Sequence, residues 1–172
     1  MPCIMHISKS AKSRETALSE RLERELSLFT RYSMPGRRSP EPGCVLLDRS
    51  AYILLMRLED QGAMSIGELA DAFRLDPSTV NRQTAALVRR SLARRVPDPE
   101  GGLARKFQIT GEGARRLRED REYYREGARR IVEDWTPAEI ERFEADLLRF
   151  NRSVEELEQR PWPRPRDYRP QG

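Results

Sequence analysis

The chain has 172 residues, enough for one domain with an extended dimerisation arm. Hydrophobic residues make up 37% and charged residues 35%, which is lean for a self-contained globule and points to a core completed by a second copy. A net charge of +4 suits a polyanionic partner only if the basic surface is local, and no apolar run reaches membrane-span length or resembles a signal core, so the expected location is the cytoplasm.

Residues 1–12 read as a loose leader. From Ser13 a helix is expected, because Leu18, Leu22, Leu26, Phe29 and Tyr32 recur at 4-4-3-3 spacing and form one apolar stripe ending near Ser33. SMPGRRSPEPGC, residues 33–44, is rich in Pro and Gly and is expected to be a loop, long for a compact domain. Asp48 is placed to cap the next helix, RSAYILLMRLEDQ, which stops at Gly62. Its inward stripe is Ala51, Leu54, Leu55 and Leu58, with Tyr52 and Met56 together on an adjacent face.

Residues 65–110 carry the densest set of signals. Ser65 with Glu68 three residues on forms a capping box, and Ile66, Leu69, Ala70 and Phe73 share one face of the helix it starts. Arg74-Leu75 make a turn, Asp76 is an N-cap, and Pro77 occupies the first helical position, where its missing N–H costs nothing. The second helix runs to about Ser91, with Val80, Thr84, Leu87 and Ser91 inward. Opposite them stand Ser78, Arg82, Ala85 and Arg89, flanked by Thr79 and Asn81. Small residues let a backbone come close to a major groove, while Asn and Arg can pair bidentately with base edges. Two strands come next, residues 92–96 and 104–109, around the turn-rich tip PDPEGG. Arg94, Arg95, Arg105 and Lys106 stand on or near that hairpin, where a basic ribbon reaches phosphates or a minor groove. This order is that of a winged helix-turn-helix.

A long helix is expected from Gly111 to about Asp134, with Ala114, Leu117, Arg121, Tyr124, Ala128, Ile131 and Trp135 as a heptad seam holding one arginine. Thr136, Pro137 and Glu139 supply an N-cap, an N1 proline and a capping box for another helix. Its seam is Ile140, Phe143, Leu147, Phe150 (or its neighbour Asn151), Val154 and Leu157. Two consecutive seams within charged surroundings predict a helical dimer interface formed with the N-terminal helix. Beyond Arg160, PWPRPRDYRPQG reads as a disordered or draped tail whose arginines add weak, nonspecific nucleic-acid contacts. The expected organisation is therefore 13–47 for an N-terminal dimerisation helix and loop, 48–110 for the winged helix-turn-helix, 111–158 for C-terminal dimerisation helices, and 159–172 for the tail. The fold class is mainly α with a small β-hairpin.

The run LDPSTVNRQTAALVRRSLARRVPDPEGGLARKFQITGEG resembles the DNA-binding core of the MarR family of winged-helix transcriptional regulators. Ile109-Thr110-Gly111-Glu112-Gly113 stands where that family has the LT-x-x-G start of the helix after the wing. The similarity extends through the flanking helices to about Leu157. One departure lies in the wing, where the family's Asp-x-Arg is replaced by Gly101 and Leu103; the resemblance then moves the wing arginine to Arg105. It also implies a crevice between the dimerisation and DNA-binding parts that takes small aromatic ligands, for which Phe29, Tyr32, Tyr52 and Met56 are the candidates. Cys3 and Cys44 form no disulfide framework; some such proteins sense oxidants through a Cys early in the first helix, whereas Cys3 lies upstream of where that helix is expected and no resolving partner is evident.

Enzyme chemistry finds little support. His6 is the sole histidine, and neither a metal-ligand cluster, a Gly-rich phosphate loop nor a nucleophile–base constellation is present, so no cofactor is expected. Of 32 basic residues, 29 are Arg and only Lys9, Lys12 and Lys106 are Lys, an imbalance so general that it argues for genome composition more than for binding. The sequence reading is a homodimeric, sequence-specific DNA-binding regulator acting as a repressor on an inverted-repeat operator and released by a small aromatic effector. A ligand-independent dimeric DNA-binding protein and a winged protein–protein module stand as alternatives. Ser78, Thr79, Asn81 and Arg82 are the candidates for base reading. Arg89, Arg94 and Lys106 are assigned to phosphates, and Arg105 to the wing's groove contact.

Overall fold

The computed structural model describes residues 4–32, 46–98 and 101–164, with backbone alone for residues 4–13 and 32. The chain forms two compact units, Met1–Arg37 and Arg38–Gly172.

In the first unit the described residues form helix α1, Ile4–Tyr32. It starts well before Ser13, so the expected loose leader is helical from Ile4 onward. Residues 4–32 contain neither Gly nor Pro, so no helix breaker separates the expected leader from the rest of α1 within the described residues. Leu18, Leu22 and Phe29 are exposed along its apolar stripe. The predicted loop at 33–44, together with Cys3 and Cys44, lies outside the described residues.

The second unit opens with α2, Arg49–Gln61, capped by the Asp48 carboxylate, which accepts the Ala51 N–H at 2.9 Å. Ala51, Leu54, Leu55 and Leu58 are buried as their spacing predicts. The helix ends where Gly62 takes φ +92°, a conformation that costs a side-chain-bearing residue energy. Then come α3 (Ile66–Phe73) and α4 (Pro77–Arg89), joined by a turn in which Arg74 is left-handed. The capping box at α3 is complete, with Ser65 Oγ accepting the Glu68 N–H and Glu68 accepting the Ser65 N–H at 2.6 Å. At α4, Asp76 occupies the N-cap without a side-chain bond; its carbonyl accepts the Thr79 and Val80 N–H groups instead, at 2.9 and 3.1 Å.

Strands β1 (Ala93–Val96) and β2 (Lys106–Ile109) pair antiparallel with Ala93 opposite Ile109 and Val96 opposite Lys106. Met64 adds a bridge on the far side of β2, exchanging two hydrogen bonds with Phe107 at 3.0 and 2.6 Å. The core lies beneath this sheet: Leu47, Leu54, Leu55, Leu58, Met64, Leu69, Val80, Leu87, Leu92, Phe107 and Leu117 are all almost fully buried.

Helix α5 spans Gly111–Ile131 and α6 spans Pro137–Glu158, the latter opened by the expected capping box of Thr136 and Glu139. The first half of α5 packs on α2. Leu117 is buried, Tyr124 meets Tyr52 edge-on at 5.0 Å, and Arg121 reaches Glu59 at 2.6 Å. That pairing explains an arginine within an apolar seam. Midway along α5, buried Asp120 accepts the Leu47 N–H at 2.7 Å and so holds the chain entering α2. The second half of the seam is uncovered, with Ile131, Trp135, Ile140, Phe143, Phe150, Val154 and Leu157 exposed. Residues 160–164 of the expected tail drape along α2 and α3, with Trp162 set against Phe73. Residues 165–172 lie outside the described residues.

Candidate nucleic-acid interface

The inward face of α4 is Val80, Thr84 and Leu87, all buried. Thr84 satisfies its hydroxyl by donating to the Val80 carbonyl at 2.8 Å, so a polar residue sits in the core without an orphaned group. With that face committed, Ser78, Asn81, Arg82 and Arg89 are exposed on the other, and Thr79 is half-buried. Arg82 lies along the helix, its Nη2 donating to Thr79 Oγ1 at 3.3 Å. This contact orients the guanidinium within one turn of the helix start, beside Ser78 and Asn81.

The hairpin continues the surface. Arg94 is exposed and donates from Nε and Nη2 to Gln108 Oε1 across the strands, at 3.2 and 2.9 Å. Arg95 is also exposed and lies over the Phe107 ring at 5.6 Å from its centroid. Arg105 is exposed, and Leu103 stands fully exposed at the tip. The turn closes with the Gly101 N–H donating to the Asp98 carbonyl at 3.0 Å, with Gly101 at φ +82°.

Lys106 departs from its expected role. Its residue is 8% exposed, and Nζ is held between Asp98 at 3.2 Å and Glu68 at 3.3 Å. The Asp98 and Glu68 carboxylates raise its pKa above the ordinary lysine range. An ammonium tied to two carboxylates beneath the wing is not displayed to a phosphate, so Lys106 is a structural cation. It has an electrostatic effect nonetheless, because it compensates the Asp98 and Glu68 carboxylates. Residues 77–97 contain five arginines and no Asp or Glu, and of these Arg90 reaches Asp48 at 3.9 Å, so the segment carries a local excess of positive charge.

Gly113 locks wing and recognition helix together. The Thr110 N–H donates to the Leu92 carbonyl at 3.0 Å, its hydroxyl donates to the Ser91 carbonyl at 2.7 Å, and it accepts the Gly113 N–H at 2.9 Å. A Cβ on Gly113 would sit 2.0 Å from the Leu92 oxygen. The Thr-x-x-Gly pattern is thus a close approach between the end of the wing and the end of α4.

The effector candidates are distributed unevenly. Tyr52 is buried against Tyr124, and burial raises its phenol pKa despite nearby Arg121. Met56, one turn on, is half-buried. Phe29 is exposed on α1, and the Tyr32 side chain lies outside the described residues.

Sequence comparison speaks to what such an interface serves. The MarR family model matches residues 47–101. Over 134 residues the chain is 36% identical to the HTH-type transcriptional regulator YxaD of Bacillus subtilis (strain 168), covering 78% of this chain and 93% of that protein. The chain belongs to the MarR family.

Solved MarR-family structures share its fold. A MarR family protein from Bacillus stearothermophilus superposes with a TM-score of 0.65 at 22% identity, over 83% of this chain and 96% of that one. BpsR of Bordetella bronchiseptica, whose DNA binding is regulated by 6-hydroxynicotinic acid, gives 0.58 at 19% identity, over 78% and 98%. At those identities the likeness speaks for the fold alone. As a MarR-family member the chain is a winged-helix transcriptional regulator, and the family match spans α2 through β1. Two features of this site carry no signal in the sequence: the Met64 bridge that closes the sheet and the ion-paired state of Lys106, both of which depend on residues far away in the chain.

Proposed function

We propose that this MarR-family protein is a cytoplasmic, homodimeric repressor that reads an inverted-repeat operator, each subunit inserting α4 into a major groove. The observation that carries the reading is the stretch from Ser78 through Arg95, which holds no Asp or Glu and exposes Arg82, Arg89, Arg94 and Arg95. Ser78, Thr79, Asn81 and Arg82 then face base edges, Arg89 and Arg94 face phosphates, and Arg105 reaches the adjoining minor groove. Homodimerisation is supported by the exposed apolar residues of α6 and of the end of α5, from Ile131 to Leu157, and separately by those of α1. Patches of this kind on a small protein call for a cover. A two-fold dimer sets half-sites about 10 base pairs apart, or a multiple of that.

Selection of bound fragments from a random duplex pool, with light scattering on the same preparation, tests the proposal. An inverted repeat bound by a species of twice the chain mass is the expected outcome. A monomer, or a single unrepeated site, refutes it.

The effector reading is that a small aromatic compound binds beside Tyr52 and Met56 and changes the spacing of the recognition helices. The edge-on Tyr52–Tyr124 pair next to half-buried Met56 favours an aromatic guest, and BpsR offers a relative of the same fold whose DNA binding responds to an aromatic acid. Release requires weaker effector binding to the DNA-bound form than to the free form. Calorimetric titration of both forms with 6-hydroxynicotinic acid and related aromatic acids measures that difference, and equal affinities would rule the mechanism out.

A further inference from the structure

Helix α6 is joined to the rest of its unit mainly through the short segment at its C-terminal end. Along its 22 residues only Leu148 is buried, while Phe143, Phe150, Val154 and Leu157 are exposed. At Gln159 the chain turns through a left-handed residue, and the Arg160 N–H returns to the Glu155 carbonyl at 2.9 Å. The next residues form a strap held by one carboxylate. Glu155 accepts the Trp162 N–H at 3.2 Å and takes the Arg164 guanidinium in a two-pronged pair, one prong at 2.8 Å. Pro161 and Pro163 bracket Trp162, so two of the backbone torsions around it are fixed before the strap docks.

Trp162 connects this strap to two other helices. Its indole N–H donates to Asp60 at 3.1 Å on α2, and the Arg57 guanidinium lies 4.9 Å over its ring. Arg57 also donates to the Pro161 carbonyl at 3.3 Å, yet its buried Nε has no hydrogen-bond partner among the described residues. The indole also meets the Phe73 ring on α3, centroid to centroid at 6.0 Å. One residue further on, Arg74 pairs with Glu158 at 2.6 Å. A single tryptophan therefore touches α2 and the end of α3, while its backbone is pinned to α6. Because α3 packs on α4 through the core, the contact chain runs from α6 through Trp162 and α3 to the recognition helix.

We infer that the strap Arg160–Arg164 is a positioning element for DNA recognition, with Trp162 locking α2 and α3 to the C-terminal end of α6. Resting on the dimeric reading above, the inference is that this lock sets the separation of the two recognition helices and hence the operator spacing the dimer accepts. Adding one base pair between half-sites moves one of them by about 3.4 Å and about 35°. A locked dimer tolerates that poorly, and an unlocked one adapts.

Two measurements on the full chain test this, using Trp162→Ala, Trp162→Phe and Glu155→Gln. In hydrogen exchange, Trp162→Ala and Glu155→Gln speed the amides of α3 and of the last two turns of α6 by about tenfold or more, leaving those of β1 and β2 unchanged. In binding assays, wild type loses about 30-fold or more in affinity when one base pair is inserted, whereas Trp162→Ala loses less than about fivefold. Trp162→Phe, which keeps a ring beside Phe73 but not the indole N–H, falls between them. Unchanged exchange in both Trp162→Ala and Glu155→Gln overturns the lock, whatever the DNA result. Faster exchange with an unchanged spacing penalty overturns the positioning role and leaves a structural one. If wild type retards no duplex at low ionic strength, the DNA-binding reading fails and the positioning role fails with it, while exchange still reports whether the strap holds α3 to α6.

Discussion

Replacing Gly113 by alanine probes the junction that sets the wing against the recognition helix. A Cβ there would lie 2.0 Å from the Leu92 carbonyl oxygen and 3.0 Å from Ile109 Cγ1, and real Cβ atoms do not approach a heavy atom within 3.0 Å. Backbone must therefore shift by at least 1.0 Å. The oxygen in the way accepts the Thr110 N–H, and the neighbouring Ser91 carbonyl accepts the Thr110 hydroxyl, so the shift weakens both bonds together with the cap of α5. A lost hydrogen bond costs about 1 kcal/mol, a lost N-cap about 1 kcal/mol and overpacking strain about 1–3 kcal/mol. Alanine's smaller unfolded-state entropy returns about 0.4–1 kcal/mol. The expected net loss is about 2–5 kcal/mol. Gly111, two residues earlier, has nothing within 4 Å of its would-be Cβ, so Gly111→Ala should instead gain about 0.4–1 kcal/mol. Urea unfolding followed by circular dichroism, at one fixed protomer concentration, compares the pair. Opposite signs are expected. A Gly113→Ala midpoint that matches wild type, or moves with Gly111→Ala, refutes the close-approach argument.

The remaining expectations concern the charged groups. Arg82→Ala should cost about 1–3 kcal/mol at the selected operator and relax base preference at one position, whereas Arg94→Ala should weaken all duplexes alike and reduce the salt slope by about one unit; identical behaviour of the two contradicts their separate roles. Lys106→Met should lower wing protection in hydrogen exchange and weaken DNA binding with the salt slope unchanged, because the ammonium neutralises Asp98 and Glu68 rather than a phosphate; a slope reduced by about one unit would restore the phosphate role. Glu68 is held below the usual carboxylate range by the Ser65 N–H first and by Lys106 in addition. A depressed folded-state pKa means this stabilisation is complete above the unfolded carboxylate value and disappears as pH falls through the folded one. The stability gap between wild type and Glu68→Gln should therefore be widest near neutrality and close in acid, and a gap independent of pH in urea midpoints would show that the carboxylate's charge is not what matters.

The helix-turn-helix was legible because its code is local. Ser65 and Glu68, Asp76 and Pro77, and the spacing of Val80, Thr84 and Leu87 each act within a few residues, so chain order alone predicts where helices begin and which face is buried. Capping at Asp48 and Thr136 was readable for the same reason. Helix ends were less so: α1 starts at Ile4 rather than near Ser13, since polar residues without Gly or Pro continue a helix as readily as they form a leader.

What the chain order determined was the identity of the outward face of α4 and the membership of the family. Tertiary structure alone decided the state of individual charges and the fate of the C-terminal segment. Whether Lys106 faces solvent or lies buried depends on Glu68, 38 residues away in the chain. Whether Trp162 drifts in a tail or sits in a groove depends on Asp60, 102 residues away. Neither contact leaves a periodic or compositional trace, because a salt bridge or a docked indole is specified by where two distant segments meet, and that meeting place is set by the packing of the helices between them.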